Sequence, residues 1–215
     1  MPVTFPNESD AYRFARNALL DAEIALRAQI EAAAEMRRAL PLGGEIAEDY
    51  AFTALDGETR TVSSLFGDHE TLALYSYMFA PGDARPCPAC TSLLDGLDGQ
   101  VPQIAQRIAF HVVSSATPAQ LIAIKKARGW QNVSLSSANG TDYQTRYHGR
   151  TADGEQPMMN VFRKQDGVIR HFWSTEMLRA EQNGHPRHMD LAWPIWNIFD
   201  MTPEGRGDFF PSVLD

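Results

Sequence analysis

An α/β fold built around one buried mixed sheet flanked by helices follows from three features of this 215-residue sequence. Residues Thr71 to Phe79 form an almost unbroken apolar and aromatic run, as expected of a central strand covered on both faces. Ile108 to Val113 repeats that signal, and Thr117 to Arg128 then reads as a helix, so strands and helices alternate in a right-handed βαβα unit. Two hairpins with recognised turn dipeptides, Asp56-Gly57 and Asp166-Gly167, supply antiparallel strands.

The length is about one and a half times a typical domain of about 150 residues, which predicts a single domain with decoration: a helical extension over residues 1–44 and the α/β domain over 45–215. Hydrophobic residues at 44% and charged residues at 21% are those of a globular chain that buries a core.

Ser9 to Leu40 contains no Pro or Gly and is dense in Ala, Leu, Glu and Arg, which predicts one long helix capped by Asn7 or Ser9. Its stripe of Tyr12, Ala15, Leu19, Ala22, Leu26, Ile30 and Ala33 suits packing on its own domain, or a homodimer contact through this helix. Pro41 with Gly43-Gly44 ends it.

Tyr50–Leu55 and Thr59–Val62 form the first hairpin, with a turn or short helix at Ser63–Phe66. Thr91–Arg107 is helical in pattern, but Gly96, Gly99 and Pro102 predict a break or kink. Thr117 is the expected N-cap of the next helix, with Pro118 at its first position and Gly129 just after it. Val133–Ser136 reads as a short third strand. Asn139–Gln156 is polar, with three glycines and no periodicity, which predicts a functional excursion or a mobile loop. Met158–Lys164 and Val168–Ser174 form the second hairpin, and an aromatic-rich C-terminal extension from Glu176 carries Trp193, Trp196, Phe199, Phe209 and Phe210.

Nineteen Lys and Arg against 27 Asp and Glu give a net charge of −8, which repels nucleic acid and anionic lipid. No apolar run reaches the roughly 20 residues of a membrane span. The opening residues lack the basic and apolar regions of a secretory signal, so a cytoplasmic setting is expected. In such a reducing compartment the two cysteines, Cys87 and Cys90, suggest chemistry more than stapling.

Cys87-Pro88-Ala89-Cys90 follows a buried strand and starts a helix. A thiolate at a helix N-terminus faces unpaired N–H groups and the positive end of the dipole, which lower its pKa from the free value near about 8.5. Cys87 is therefore the expected nucleophile of thiol-disulfide exchange, and Cys90, one helical turn on, the resolving thiol. Pro88 favours helix initiation, and Arg85 is a candidate positive charge beside the nucleophile, opposed by Asp83. Substrate contacts are therefore expected from Arg85 and Pro88. The other readings of the pair are two buried structural cysteines, half a zinc site, or a redox sensor without turnover. For zinc, two further ligands would have to come from His69, His111, His148, His171, His185 and His188, of which only His185 and His188 lie close in sequence. No phosphate-cradling Gly loop or Ser nucleophile elbow is present, and no cofactor or metal is expected. His171, Trp173, Trp193 and Trp196 are candidates to frame a pocket, as well as for core or interface.

The long helix, Arg38-Ala39-Leu40-Pro41, Glu48-Asp49-Tyr50-Ala51-Phe52, Leu65-Phe66, Tyr75-Ser76-Tyr77-Met78-Phe79, the two-cysteine motif and the closing Asp200-Met201-Thr202-Pro203-Glu204-Gly205-Arg206-Gly207 occur in this order. From Ala11 to Gly207 the sequence resembles a family of bacterial thioredoxin-like proteins of undetermined function, described as predicted dithiol-disulfide oxidoreductases. The resemblance implies a thioredoxin-like fold and a redox role for Cys87 and Cys90. The implied partners are a disulfide-containing protein or small molecule and a thiol reductant. In a thioredoxin-like sheet the turn entering the Met158 hairpin faces the cysteines, which makes Gln156 and Pro157 substrate-binding candidates. A cis Pro157 would leave neighbouring backbone groups free for an extended substrate, whereas an ordinary strand-entrance proline would not. Residues Phe79 to Pro86 lack the Thr or Ser and Pro spacing of typical peroxiredoxins, which points away from direct peroxide reduction.

Overall fold

Ser9 opens the first element: its hydroxyl accepts from the Tyr12 N–H at 3.2 Å, and helix α1 (Asp10–Arg38) runs from there. Asp10 in the first turn and Arg37 and Arg38 in the last complement the helix dipole. The computed structural model describes residues 3–180 and 187–212. It divides the chain between Pro41 and Leu42 into a helical unit and an α/β unit. Within the first unit, α1 has no buried residue.

In the second unit, β1 (Ala51–Ala54) and β2 (Thr59–Thr61) form the first hairpin, with Gly57 at φ +86° in its turn. Thr61 caps the short α2 (Val62–Leu65). β3 (Thr71–Ser76) leads to α3 (Pro88–Asp98), which stops at Gly99 before the single turn α4 (Val101–Ile104), so the expected break occurs. Helix α3 begins three residues before Thr91 because Pro88 needs no N–H partner at the first position. Then follow β4 (Ala109–Ser114), α5 (Pro118–Arg128) and β5 (Leu135–Ser137). Thr117 and Gln120 form a reciprocal capping box on α5, and Gly129 closes it at φ +68°.

The stretch 139–156 is a correction to the loop reading. It holds α6 (Tyr143–Arg146) and a small hairpin of β6 (Arg150–Thr151) and β7 (Gly154–Glu155). Its anchor is Tyr143, with 0% exposure, packed edge-on against Tyr50 and Phe52 at 5.4 and 5.2 Å. The second hairpin is β8 (Met159–Gln165) and β9 (Val168–Ser174), turning through Asp166 and Gly167, both at positive φ. Two short 3₁₀ turns, Glu176–Arg179 and Asp190–Ala192, and α7 (Pro194–Phe199) complete the described tail.

Seven strands form one sheet in the order β2-β1-β5-β4-β3-β8-β9. β3, β4 and β5 are parallel, and β8 returns antiparallel beside β3. This mixed sheet, with helical crossovers between its parallel strands, is thioredoxin-like, extended by the first hairpin. Alternation along β3 explains its apolar run: Tyr75 and then Tyr77 enter the core with Leu93 and Leu94 of α3, while Leu72 and Leu74 enter the core with Phe52, Phe66 and Phe162. Among the described residues, no helix is long and apolar enough to cross a membrane.

Gly43 does more than stop a helix. Gly43–Ile46 pairs along β9, with the Gly43 N–H bonded to the His171 carbonyl at 2.8 Å and the Ile46 N–H to that of Ile169 at 3.0 Å. A Cβ on Gly43 would lie 2.8 Å from the His171 oxygen, so the approach requires glycine. Gly149 is equally constrained: a Cβ there would fall 2.8 Å from Ser76 Cβ and closer still to Ser76 Oγ and Gln144 Oε1. These two side chains are buried and hydrogen-bonded to each other at 2.7 Å. Gly149→Ala is expected to destabilise the fold by about 1–3 kcal/mol through overpacking, read as a lower midpoint in urea at unchanged slope.

Candidate active site

The position of Cys87 is set from β3. Past Ser76 the chain keeps one more sheet bond, Tyr77 N–H to Val113 O at 2.8 Å, and the Met78 carbonyl then accepts from the Cys87 N–H at 3.0 Å. Between them the loop is pinned by Ser114 Oγ donating to the Phe79 carbonyl at 2.7 Å and by Asp83 accepting from the Ala80 N–H at 2.8 Å. Cys87 is the N-cap residue of α3. Its carbonyl accepts from the Thr91 N–H at 3.0 Å and the Thr91 hydroxyl at 2.9 Å, and that hydroxyl meets Tyr77 at 2.7 Å. The start of the helix is thereby tied to the strand, which fixes the backbone position of Cys87.

Both cysteines are free thiols; Cys87 is half-buried and Cys90 is 3% exposed. The Cys90 thiol, facing Cys87 as a hydrogen-bond donor, lowers the Cys87 pKa to about 6, with the N–H groups of Cys90 and Ala89 assisting and burial opposing. For Cys90 the shift is upward: its bond to Cys87 and then burial keep it protonated, while a hydrogen bond from Tyr75 and the backbone at Met78 act the other way. The pair is thus chemically unequal, one sulfur disposed to be a thiolate and the other a thiol.

The two cysteines line a cavity of about 440 Å³ together with Gln156 and Pro157 from the turn before β8. The bond preceding Pro157 is trans. The Gln156 N–H is bonded to the Gly149 carbonyl at 2.8 Å. Trp193 and Trp196 also line this cavity, but His171 lines another, of about 660 Å³, and Trp173 lies on β9. Arg85 is exposed and lines a different cavity with Gln120 and Arg128 of α5. The buried Pro86 intervenes where the loop turns. Pro88 sits at the first position of α3 and is not part of the cavity wall.

Tyr75, Met78, His188 and Arg206 belong to the cavity and were not legible as site residues. Tyr75 reads as core in sequence, and its only signal is that a buried phenol needs a partner. Arg206 bridges Asp190 at 3.0 Å and Asp200 at 2.6 Å, and it lies over the Trp196 ring at 5.1 Å. Among the described residues, no group of three His, Cys, Asp or Glu side chains could hold a metal ion. His185 of the sequence-adjacent histidine pair lies outside the described residues.

Among solved structures, the chain is similar to the peroxidoxin BcpB of Mycobacterium tuberculosis, at 18% identity and TM-score 0.49, covering 72% of this chain and 95% of that one. Xanthomonas campestris peroxiredoxin Q matches at 14% identity and TM-score 0.48, covering 73% and 96%. A thioredoxin lipoprotein of Streptococcus pneumoniae matches at 16% identity and TM-score 0.42, covering 58% and 87%. No curated protein matches the sequence. The family described as bacterial protein of unknown function (DUF899) matches residues 2–212, essentially the whole chain, which therefore belongs to that family.

Proposed function

We propose that this protein is a thiol-disulfide oxidoreductase in which Cys87 attacks and Cys90 resolves. The observation that carries the reading is the inequality of the pair at one cavity wall: a half-buried Cys87 with its pKa lowered to about 6, and a buried Cys90 held protonated beside it. The Cys87 thiolate attacks one sulfur of a substrate disulfide. That S–S bond breaks, a mixed disulfide forms on Cys87, and the other substrate sulfur departs as a thiolate. Cys90 gives up its proton to the departing thiolate and attacks the Cys87 sulfur, releasing the second substrate thiol and leaving a Cys87–Cys90 disulfide. Two electrons have passed to the substrate, and a thiol reductant restores the pair. Tyr75, donating to the Cys90 sulfur, favours the thiolate that this second attack requires.

Removing the resolving thiol tests the order of attack. Cys90→Ser is expected to accumulate mixed disulfides on Cys87 that are visible by intact mass and removed by dithiothreitol, whereas Cys87→Ser is expected to accumulate none. Equal trapping by both variants, or by neither, overturns the assignment.

A further inference from the structure

The described part of the C-terminal segment supplies most of the apolar wall over the two thiols, and its chemistry restricts what can approach them. We infer that the substrate is a small, uncharged disulfide carrying an aromatic or bulky apolar group, bound against the wall of Trp193, Trp196, Phe209 and Phe210; this rests on the dithiol reading above. The rings are already assembled edge-to-face, Trp193 to Trp196 at 5.4 Å and Trp196 to Phe209 at 6.1 Å. Yet Phe209 is 48% and Phe210 64% exposed, so apolar surface remains at the rim for a ligand to cover.

Size favours a small molecule. The cavity, at about 440 Å³, falls within the range of small-ligand sites, about 300–1,000 Å³. An extended polypeptide laid beside Pro157 would need backbone partners, and the Gln156 N–H there is already bonded to Gly149.

Charge disfavours an anionic disulfide. Arg187 and Arg206, both on the cavity wall, each bridge Asp190 and Asp200, so these two positive and two negative groups already compensate one another. A substrate carboxylate would have to displace one of these aspartates or lie against the aromatic wall, and either costs binding free energy.

The test is single-turnover reduction of disulfides by the full-length reduced protein, which holds the two electrons needed. The probes are 2,2′-dithiodipyridine as the uncharged aromatic disulfide, glutathione disulfide as the anionic one, hydroxyethyl disulfide as the small neutral one and insulin as the polypeptide. Each rate is divided by that of dithiothreitol at the same pH, which removes the intrinsic reactivity of the probe. The enhancement for dithiodipyridine is expected to exceed that for glutathione disulfide by about tenfold or more, as stacking on one or two rings supplies. That ratio is expected to fall at least fivefold in Trp196→Ala and in Phe209→Ala; two variants are used so that misfolding of one does not decide the outcome. Equal enhancements for the aromatic and anionic probes, a larger one for insulin, or an unchanged ratio in both folded variants overturns the inference while leaving the dithiol chemistry standing. Failure to reduce any of the four, hydroxyethyl disulfide included, overturns the dithiol reading itself.

Discussion

Cys87→Ser is expected to lower the rate of disulfide reduction by at least about 10³-fold, because a serine hydroxyl does not ionise near neutral pH and cannot form the mixed disulfide. The fold is expected to survive. Serine is among the preferred N-cap residues, and at the start of α3 its oxygen can accept from the N–H groups that face the sulfur. A thermal melt within about 0.5 kcal/mol of the parent, alongside lost turnover, separates a missing nucleophile from a damaged protein. Retained turnover in this variant removes the mechanism.

The second large effect is on the pH dependence of Cys87 alkylation. With a pKa of about 6, the iodoacetamide rate is expected to rise through pH 6 and reach a plateau above it. At pH 6 about half of Cys87 is thiolate, against about 0.3% of a thiol with a pKa of about 8.5, a gain of over 100-fold in reactive species. The lower basicity of the thiolate returns about one order of magnitude, leaving a net acceleration of about tenfold over a free thiol at that pH. Cys90→Ala is expected to move the inflection upward, since the Cys90 thiol is the largest cause of the lowered value. An inflection at or above pH 8.5 in the parent protein would contradict the assigned environment. The same shift has a stability consequence with a definite sign. Because the folded pKa lies below the unfolded one, the contribution of Cys87 grows as pH rises from about 6 toward the ordinary thiol range and is lost as pH falls through 6. Cys90, shifted upward, acts in the opposite sense only above that range.

What could be read from the residues alone follows physical lines. β3 and β4 were legible because burial on both faces leaves a continuous apolar run, and the Asp166-Gly167 turn because its two positive φ angles demand those residue types. The place of the cysteine pair between strand and helix was legible because the apolar run before it and Pro88 within it mark both boundaries. α6 was not: at four residues it is shorter than any periodicity, and its only cue is the pair Tyr143 and Tyr147, stacked at 4.9 Å one turn apart. The aromatic wall was read as core, interface or pocket without a decision. Its seat is set by contacts such as Trp193 Nε1 to Ser92 Oγ at 3.4 Å, which span 101 positions and leave no local pattern. Arg85 was placed beside Cys87 by sequence proximity, and in the fold it also lines a cavity with Gln120 and Arg128 of α5, a neighbour 35 or more positions away that no local pattern announces.

The strip Gly43–Ile46 laid along β9 also bears on how this protein behaves when concentrated. A sheet margin with open N–H and C=O groups is a template on which other chains can polymerise, and here the longer margin is covered over Ile169–His171. The opposite margin, β2, offers three residues, one of them the charged Arg60, too little to seed fibril growth. Substituting Gly43 would strip that guard from β9, and the outcome to watch for is aggregation on storage before any loss of the folded core.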